Sequence, residues 1–336
     1  MKAGIIGFEG SGRETVFRAL TGQSQGPLAD FRQGEALIQD ERLNYLSDLF
    51  QPKKHTPARL ELFLPKPVGK TPAESLKAAL EKSRERDVLL AVIRNFPDPT
   101  GREPDPAKEA ANLESELILS DYLVVEKRLE RLGEEKKRGK KNDPEELALL
   151  TEARELLEAN QPLRGDPKFA NHPKIRGFGF LSAKPLLKVL NCPDDFTQAQ
   201  VPLANQLDFR GRLEEELGRL DPTEAQEFLV DYGLKELGQA RVIRALFELM
   251  DLISFFTVGE DECRAWPIRR GQEAWAAAGE IHSDIQKGFI RAEVVAFEDF
   301  QAAGGLNEAK KRGVFRLEGK TYPIKDGDIV HFRFNI

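Results

Sequence analysis

Gly7, Gly10 and Gly12 lead straight into Arg13, Glu14 and Thr15, just after the apolar stretch Ala3–Ile6. A glycine-rich turn between a strand and a helix lines backbone N–H groups and a helix N-terminus around phosphate oxygens. The intact form of such a loop is G-x-x-x-x-G-K-[ST], whose lysine neutralises phosphate and whose hydroxyl binds magnesium. Gly7 and Gly12 hold that spacing, with Arg13 at the lysine position and Glu14 at the hydroxyl position. Gly7, Gly10, Ser11, Gly12, Arg13, Glu14 and Thr15 are therefore the candidate phosphate site. Two readings stand. One is an altered loop that still binds a nucleotide weakly. The other is a turn kept for folding, in which Arg13 and Glu14 pair with each other or with neighbours and fill the space. The glycine order also touches the dinucleotide fingerprint, but reads G-x-x-G-x-G where that fingerprint needs G-x-G-x-x-G.

Other chemistry-bearing residues are sparse. The two cysteines, Cys192 and Cys263, are too few for a disulfide framework, and with four histidines they show no metal-ligand spacing. No catalytic residue and no metal-ligand set stand out. His282 beside Asp284, and Trp266 and Trp275, read as structural or packing residues. Between Glu126 and Lys141 eight basic residues face four acidic ones. Lys136, Lys137, Arg138, Lys140 and Lys141 in that run are the candidate RNA contact; a solvated turn is the alternative.

The elements that must position these residues follow from periodicity. Ala3–Ile6, Leu60–Leu64, Val88–Ile93, and either Phe178–Leu181 or Leu186–Leu190 read as buried strands of a parallel sheet. Helical stretches such as Ala73–Arg86 separate them, which is the α/β pattern. From about Ala107 to Ala159 the strand signal stops. Leu113, Leu117, Val124 and Leu132 fall near heptad spacing, as do Leu149, Ala153 and Leu157. Gly139 ends the first helix, and Asp143, Pro144 and Glu146 read as N-cap, first helical residue and capping-box acid of the second. That predicts an antiparallel helical hairpin inserted in the α/β domain. After Leu252, strand-like runs at Ser254–Val258, Ala265–Ile268, Arg291–Phe297 and Ile329–Phe334 surround one helix near Glu273–Lys287, an α+β module of its own. The expected domains are 1–103 with 168–252, then 104–167, then 253–336.

With 336 residues, 40% hydrophobic and 32% charged, the chain has room for two or three domains. A formal charge of −6 excludes a polycation that grips nucleic acid by bulk charge. No apolar run approaches the length of a membrane span and the start lacks a signal-peptide layout, so a cytoplasmic protein is expected. From Glu260 onward twelve basic residues stand against thirteen acidic ones, so that module is no electrostatic RNA trap.

Several longer stretches resemble one family. IRNFPDPTGREPDPAKEAANLESELILSDYLVVEKRLERL, EFLVDYGLKELGQARVIRALFELMDLISFFTVGEDECRAW, IHSDIQKGFIRAEVVAFEDF and RLEGKTYPIKDGDIVHFRFNI look like the YchF/Obg-like ATPases. The likeness runs through nearly the whole chain in the family's order. It implies a P-loop NTPase domain of α/β class, an inserted antiparallel α-helical coiled coil and a C-terminal α+β β-grasp (TGS) domain. It also implies ATP or GTP binding, slow hydrolysis and association with ribosomes or RNA, with no membrane and no DNA specificity.

The departures from the family cluster at the chemistry. The family's loop reads GLPNVGKST, against GFEGSGRET here. Aligning Pro52 and Pro57 with the family's prolines puts Leu64 at the magnesium-side Asp and Pro67 at the switch-II Gly. The segment between Thr21 and Gln39 is short and lacks the usual switch-I sequence. The family's base-reading Asn-x-x-Glu corresponds to Asn191-Cys192-Pro193-Asp194. An Asp there resembles guanine-specific relatives and the family's Glu accompanies adenine, so Asn191 and Asp194 leave the base open; an ordinary Asn or Asp cap is the alternative. Ser182-Ala183-Lys184 resembles another base-contacting motif but precedes Asn191 and is taken as coincidence. ATP or GTP binding with doubtful magnesium is expected. The two functions that follow are a binding module with a degenerate loop, acting through ribosome or RNA contacts, and a slow ATPase or GTPase with Arg13 in place of lysine.

Overall fold

The structure is a computed structural model that describes residues 1–22, 31–196, 205–231 and 236–335. The N-terminal half runs β1 (Lys2–Ile6), α1 (Arg13–Thr21), β2 (Phe31–Ile38), α2 (Glu41–Phe50), β3 (Lys54–Thr56), β4 (Ala58–Pro65), α3 (Pro72–Ser83) and β5 (Val88–Arg94). Two long helices, α4 (Pro106–Lys137) and α5 (Pro144–Glu158), and a short α6 (Lys168–Asn171) follow. Then come β6 (Leu186–Asn191), β7 (Gln206–Phe209), α7 (Gly211–Leu217), α8 (Pro222–Asp231) and α9 (Gly238–Leu249). The C-terminal part adds β8 (Leu252–Thr257), β9 (Glu262–Arg269), α10 (Ala274–Ile281), α11 (Ser283–Lys287), β10 (Phe289–Ala296), α12 (Phe297–Ala303), α13 (Leu306–Lys311), β11 (Arg316–Glu318) and β12 (Asp328–Phe334). The chain divides into two compact units, Met1–Ala36 with Glu61–Val242, and Leu37–Leu60 with Ile243–Ile336.

The first unit is built on a six-stranded sheet in the order β2-β4-β1-β5-β6-β7. β1 pairs in parallel with β4 and β5, and β6 in parallel with β5 and β7. Such strands are covered on both faces, which is why β5 reads as six apolar residues in a row, all buried. The alternative strand at Phe178–Leu181 does not form. The backbone N–H groups of Leu181 and Ser182 instead donate to the buried Asp121 carboxylate at 3.0 and 2.7 Å. An acceptor supplied by α4 replaces the ladder a strand needs.

α4 and α5 sit inside this first unit rather than as a separate body. Leu113 and Leu117 join the core formed by Ile93, Leu186 and Leu190, while Ile118, Val125 and Leu132 pack with Leu150, Ala153 and Leu157. One helix thus serves two cores. The pairing is antiparallel, with Arg128 bidentate on Glu146 at 2.7 and 2.9 Å and Asn142 donating to the Leu132 carbonyl. Asp143 accepts from the N–H groups of Glu145 and Glu146, so it is the N-cap that its sequence suggests. Glu146 does not close a capping box; Arg128 offers its carboxylate a charged, bidentate partner instead.

The second unit carries another six-stranded sheet, in the order β11-β10-β12-β8-β9-β3. It takes in residues 37–60, which the sequence places with the first domain. β3 pairs in parallel with β9, and Leu43 and Leu46 of α2 pack with Phe256, Ala265 and Phe300. Burying that apolar helix face is what draws the segment to the C-terminal sheet. The helix expected over Glu273–Lys287 is broken at His282, whose Nδ1 accepts from the N–H of Asp284 and starts α11.

Candidate functional site

The glycine-rich loop lies between the C-terminal end of β1 and the start of α1, at the centre of the parallel sheet. Gly7, Gly10 and Gly12 have φ of 150°, 80° and 84°. A side chain at Gly7 would put its Cβ 2.5 Å from the Val92 carbonyl oxygen, and one at Gly12 would put it 2.1 Å from Asn191 Nδ2. The turn therefore needs glycine at both positions, for backbone conformation and for space. The Ser11 N–H donates to the Phe8 carbonyl at 3.3 Å, and α1 begins after Gly12, whose carbonyl accepts from Val16 N at 3.0 Å.

Arg13 folds back along the loop, its Cδ 3.4 Å from the point where a Gly7 Cβ would lie. Burial pushes its guanidinium down from its ordinary value, against the opposing fields of Glu9 and Glu14. Among the described residues it makes no hydrogen bond or ion pair. The Ser11 hydroxyl, in a residue only 1% exposed, also has no partner. Glu14 does not pair with Arg13. Its carboxylate points away along α1, 3.7 Å from Arg18 and 3.4 Å from Arg32. Arg18 in turn holds Glu215 of α7 through two bonds of 2.9 and 3.1 Å.

Asn191, at the end of β6, is buried against the loop. Its Nδ2 donates to the Ser11 carbonyl at 3.0 Å and its Oδ1 accepts from Gly211 N at 3.2 Å. It ties the loop to the start of α7. Asp194 Oδ1 accepts from Leu213 N at 3.2 Å, so this carboxylate is a partner of the first turn of α7. The structure therefore brings Gly7, Gly10, Ser11, Gly12, Arg13, Thr15 and Asn191 to one place, with Asp194 at its edge and Glu14 facing elsewhere. Ser182 and Lys184 are engaged away from it: Lys184 Nζ donates to the Arg86 carbonyl at 2.7 Å.

The residues fit a phosphate better than a magnesium ion. Glu14 is engaged by two arginines. Leu64 lies on β4, one residue beyond the Gly4–Phe63 register with β1, and is an apolar side chain 4% exposed. Pro67, three residues on, has no N–H to offer. Among the described residues no group of three His, Cys, Asp or Glu side chains converges to hold a metal. The stretch expected to carry switch I lies partly outside the described residues.

Phe96, which sequence reasoning passed over, lies 4.0 Å from the same Gly12 Cβ position. Asn95 donates to the Cys192 sulfur at 3.4 Å. Their only signal is position: both follow β5, and crevices in such sheets open at the carboxyl ends of strands. Lys136 and Lys137 at the C-terminal end of α4, and Arg138, Lys140 and Lys141 in the connection to α5, are all exposed; of the five, Arg138 has an ion-pair partner, Glu134 at 3.6 Å. Among the described residues no helix is long and apolar enough to cross a membrane.

The family YchF-GTPase_C, described as "Protein of unknown function (DUF933)", matches residues 252–335. The "Ribosome-binding ATPase YchF" of Bacillus subtilis (strain 168) is 33% identical over 365 residues, covering 100% of both chains. The protein of the same description from Haemophilus ducreyi is 34% identical over 361 residues, covering 100% of this chain and 99% of its own. Both aligned lengths exceed the 336 residues here, so this chain carries gaps against these relatives. Among solved structures, the Schizosaccharomyces pombe YchF GTPase superposes with a TM-score of 0.85 at 25% identity, over 99% of this chain and 97% of that one. A GTP-binding protein from Pyrococcus horikoshii shares the fold, with a TM-score of 0.62 at 18% identity over the full length of both chains.

Proposed function

The chain belongs to the YchF family, and from that premise we propose that it is a cytoplasmic, ribosome-associated nucleotide-binding protein with little or no magnesium-dependent hydrolysis. On this reading α4 and α5 are the family's coiled-coil hairpin, and β8–β12 with the intervening helices are its TGS domain. The observation that carries the reading is the contrast within one site. The loop keeps its backbone geometry and an Arg13 without a partner among the described residues, while the metal side offers a buried Leu64 and a Glu14 engaged by arginines.

Magnitudes favour loss of catalysis over loss of binding. A charge-assisted hydrogen bond contributes roughly 1.5–3 kcal/mol, and Arg13 retains a charge for one. Arg is always charged but its planar fork is larger than an ammonium, so it meets the phosphate differently from lysine. Phosphoryl transfer also needs the metal that neutralises the transferring group, together with an ordered switch. Output then comes from ribosome or RNA contacts, with the exposed Lys136–Lys141 tip as the candidate surface.

The test is co-sedimentation with ribosomes, with and without ATP or GTP, alongside steady-state hydrolysis in magnesium. Ribosome binding that ignores nucleotide, with no hydrolysis above the protein-free rate, supports the binding module. The second reading, a slow ATPase or GTPase switch, is favoured by Arg13 standing without a protein partner among the described residues. Magnesium-dependent hydrolysis that falls in Thr15→Ala would establish it in place of the first.

A further inference from the structure

We propose that the loop is a metal-independent, base-indifferent site for a diphosphate group, filled by the unchelated anion of a nucleoside diphosphate or of inorganic pyrophosphate. The proposal rests on the reading of the loop as a phosphate site and specifies its ligand. Three observations carry it.

The first is a set of unmet polar groups. Arg13 has no hydrogen-bond acceptor among the described residues, and the Ser11 hydroxyl is 99% removed from solvent with no partner. Both flank the same point beside Gly7: Ser11 Oγ at 3.0 Å and Arg13 Cδ at 3.4 Å. Native proteins rarely leave such groups unsatisfied, and a buried one invites a ligand. A guanidinium fork and backbone N–H groups together favour an oxyanion.

The second is the donor set on the metal side. Magnesium asks for oxygen ligands in near-octahedral array. Leu64 supplies none, and Glu14 is held by Arg18 and Arg32. Pro67 has no N–H for a terminal phosphate beyond the second. One arginine, with no metal to assist it, matches the smaller charge of a diphosphate better than that of a bare triphosphate. Magnesium on the ligand then competes with Arg13 for the same oxygens, and adding it weakens binding.

The third is the state of the base-reading residues. Both ends of the Asn191 amide are engaged, by the Ser11 carbonyl and by Gly211 N, and Asp194 faces Leu213 N. The Asn191 amide is committed at both ends, and Asp194 spends Oδ1 on Leu213 N and holds only Oδ2 for a base, so guanine is denied the paired acceptor oxygens that would set it apart and the two purines bind alike.

The experiment is isothermal titration of the full, nucleotide-stripped chain with ADP, GDP, ATP and pyrophosphate, each in EDTA and in excess magnesium. Expected are saturable binding of ADP, GDP and pyrophosphate in EDTA, and ADP and GDP affinities within about threefold of each other. ATP binds no tighter than ADP, and excess magnesium weakens every ligand at least about fivefold. Arg13→Ala weakens binding at least about tenfold with an unchanged thermal midpoint, and Arg13→Lys recovers part of it. Binding that strengthens with magnesium, that separates ADP from GDP by more than about tenfold, that survives Arg13→Ala, or that fails for pyrophosphate while ADP binds overturns this proposal and leaves the nucleotide-binding reading standing. Pyrophosphate binding without any nucleotide binding supports the anion site and removes the nucleotide reading. No binding of any ligand in either condition overturns both.

Discussion

Arg13 and Arg42 each sit beside two carboxylates, and they are used in opposite ways. Arg42, in the second unit, bonds Asp40 at 3.0 and 2.8 Å and Asp326 at 2.9 and 3.2 Å, with its guanidinium 5.2 Å from the centre of the Phe256 ring. Its hydrogen bonds to Asp40 raise its pKa despite burial. Arg13, in the first unit, has Glu9 and Glu14 only through space, and burial lowers its pKa. An arginine with every nitrogen bonded internally holds the fold. One that makes no bond among the described residues is available to a ligand. The same residue type beside the same charges therefore says little until partners are counted.

That contrast can be attacked from several sides. The largest effect is expected from Leu64→Asp, which buries a carboxylate in an apolar site and should cost about 3–5 kcal/mol by denaturant unfolding. A near-zero cost would mean that a cation, Arg13 included, reaches that position, and the comparison would break. Arg42→Ala leaves Asp40 and Asp326 facing each other's charge and should cost about 2–4 kcal/mol. Asn191→Ala removes two buried bonds, leaves Ser11 O and Gly211 N unpaired, and should cost about 1–2 kcal/mol by thermal unfolding. Arg13→Ala should change stability by less than about 0.5 kcal/mol, because Arg13 makes no bond among the described residues. A loss as large as that of Arg42→Ala would sink the distinction between the two.

The smallest effect is a pH trend. Burial pushes the Asp326 carboxyl up, but Arg42 and the Ser254 N–H outweigh it and hold the carboxyl below its ordinary 3.8. A depressed carboxylate stabilises above its unfolded value and loses that contribution as pH falls through its folded value. The neighbouring Asp328 is pushed the other way by burial and so opposes this trend. Unfolding midpoints measured from neutral pH downwards should fall below about pH 4. Asp326→Asn should flatten that fall slightly, since the side chain is 45% exposed and solvent screens it.

Much of this was legible in the sequence where local rules act alone. The strand, glycine turn and helix at residues 3–20 needed only apolar runs and spacing. Asp143-Pro144 announced the start of α5 because a cap is a local event. What stayed hidden depended on distant partners. Glu146 went to Arg128 rather than back to its own cap. Residues 37–60 went to a sheet made largely after residue 243. Glu14 read as a charge beside the phosphate site, and only Arg18 and Arg32 explain why it faces away. Asp194 read as a base contact, and only the N–H of Leu213 reveals its bond to α7. Periodicity finds elements; it does not find which polar partner wins.

The divided second unit has a consequence for synthesis. β3 pairs with β9, and Lys53 meets Asp261 across 208 positions of chain. At about 5–20 residues per second, translation separates those partners by roughly 10–40 s. During that interval the nascent chain carries α2 with the Leu43 and Leu46 face still lacking the strands that will cover it. The second unit is therefore finished late and all at once, and its early segment must be kept from other apolar surfaces until β9 emerges.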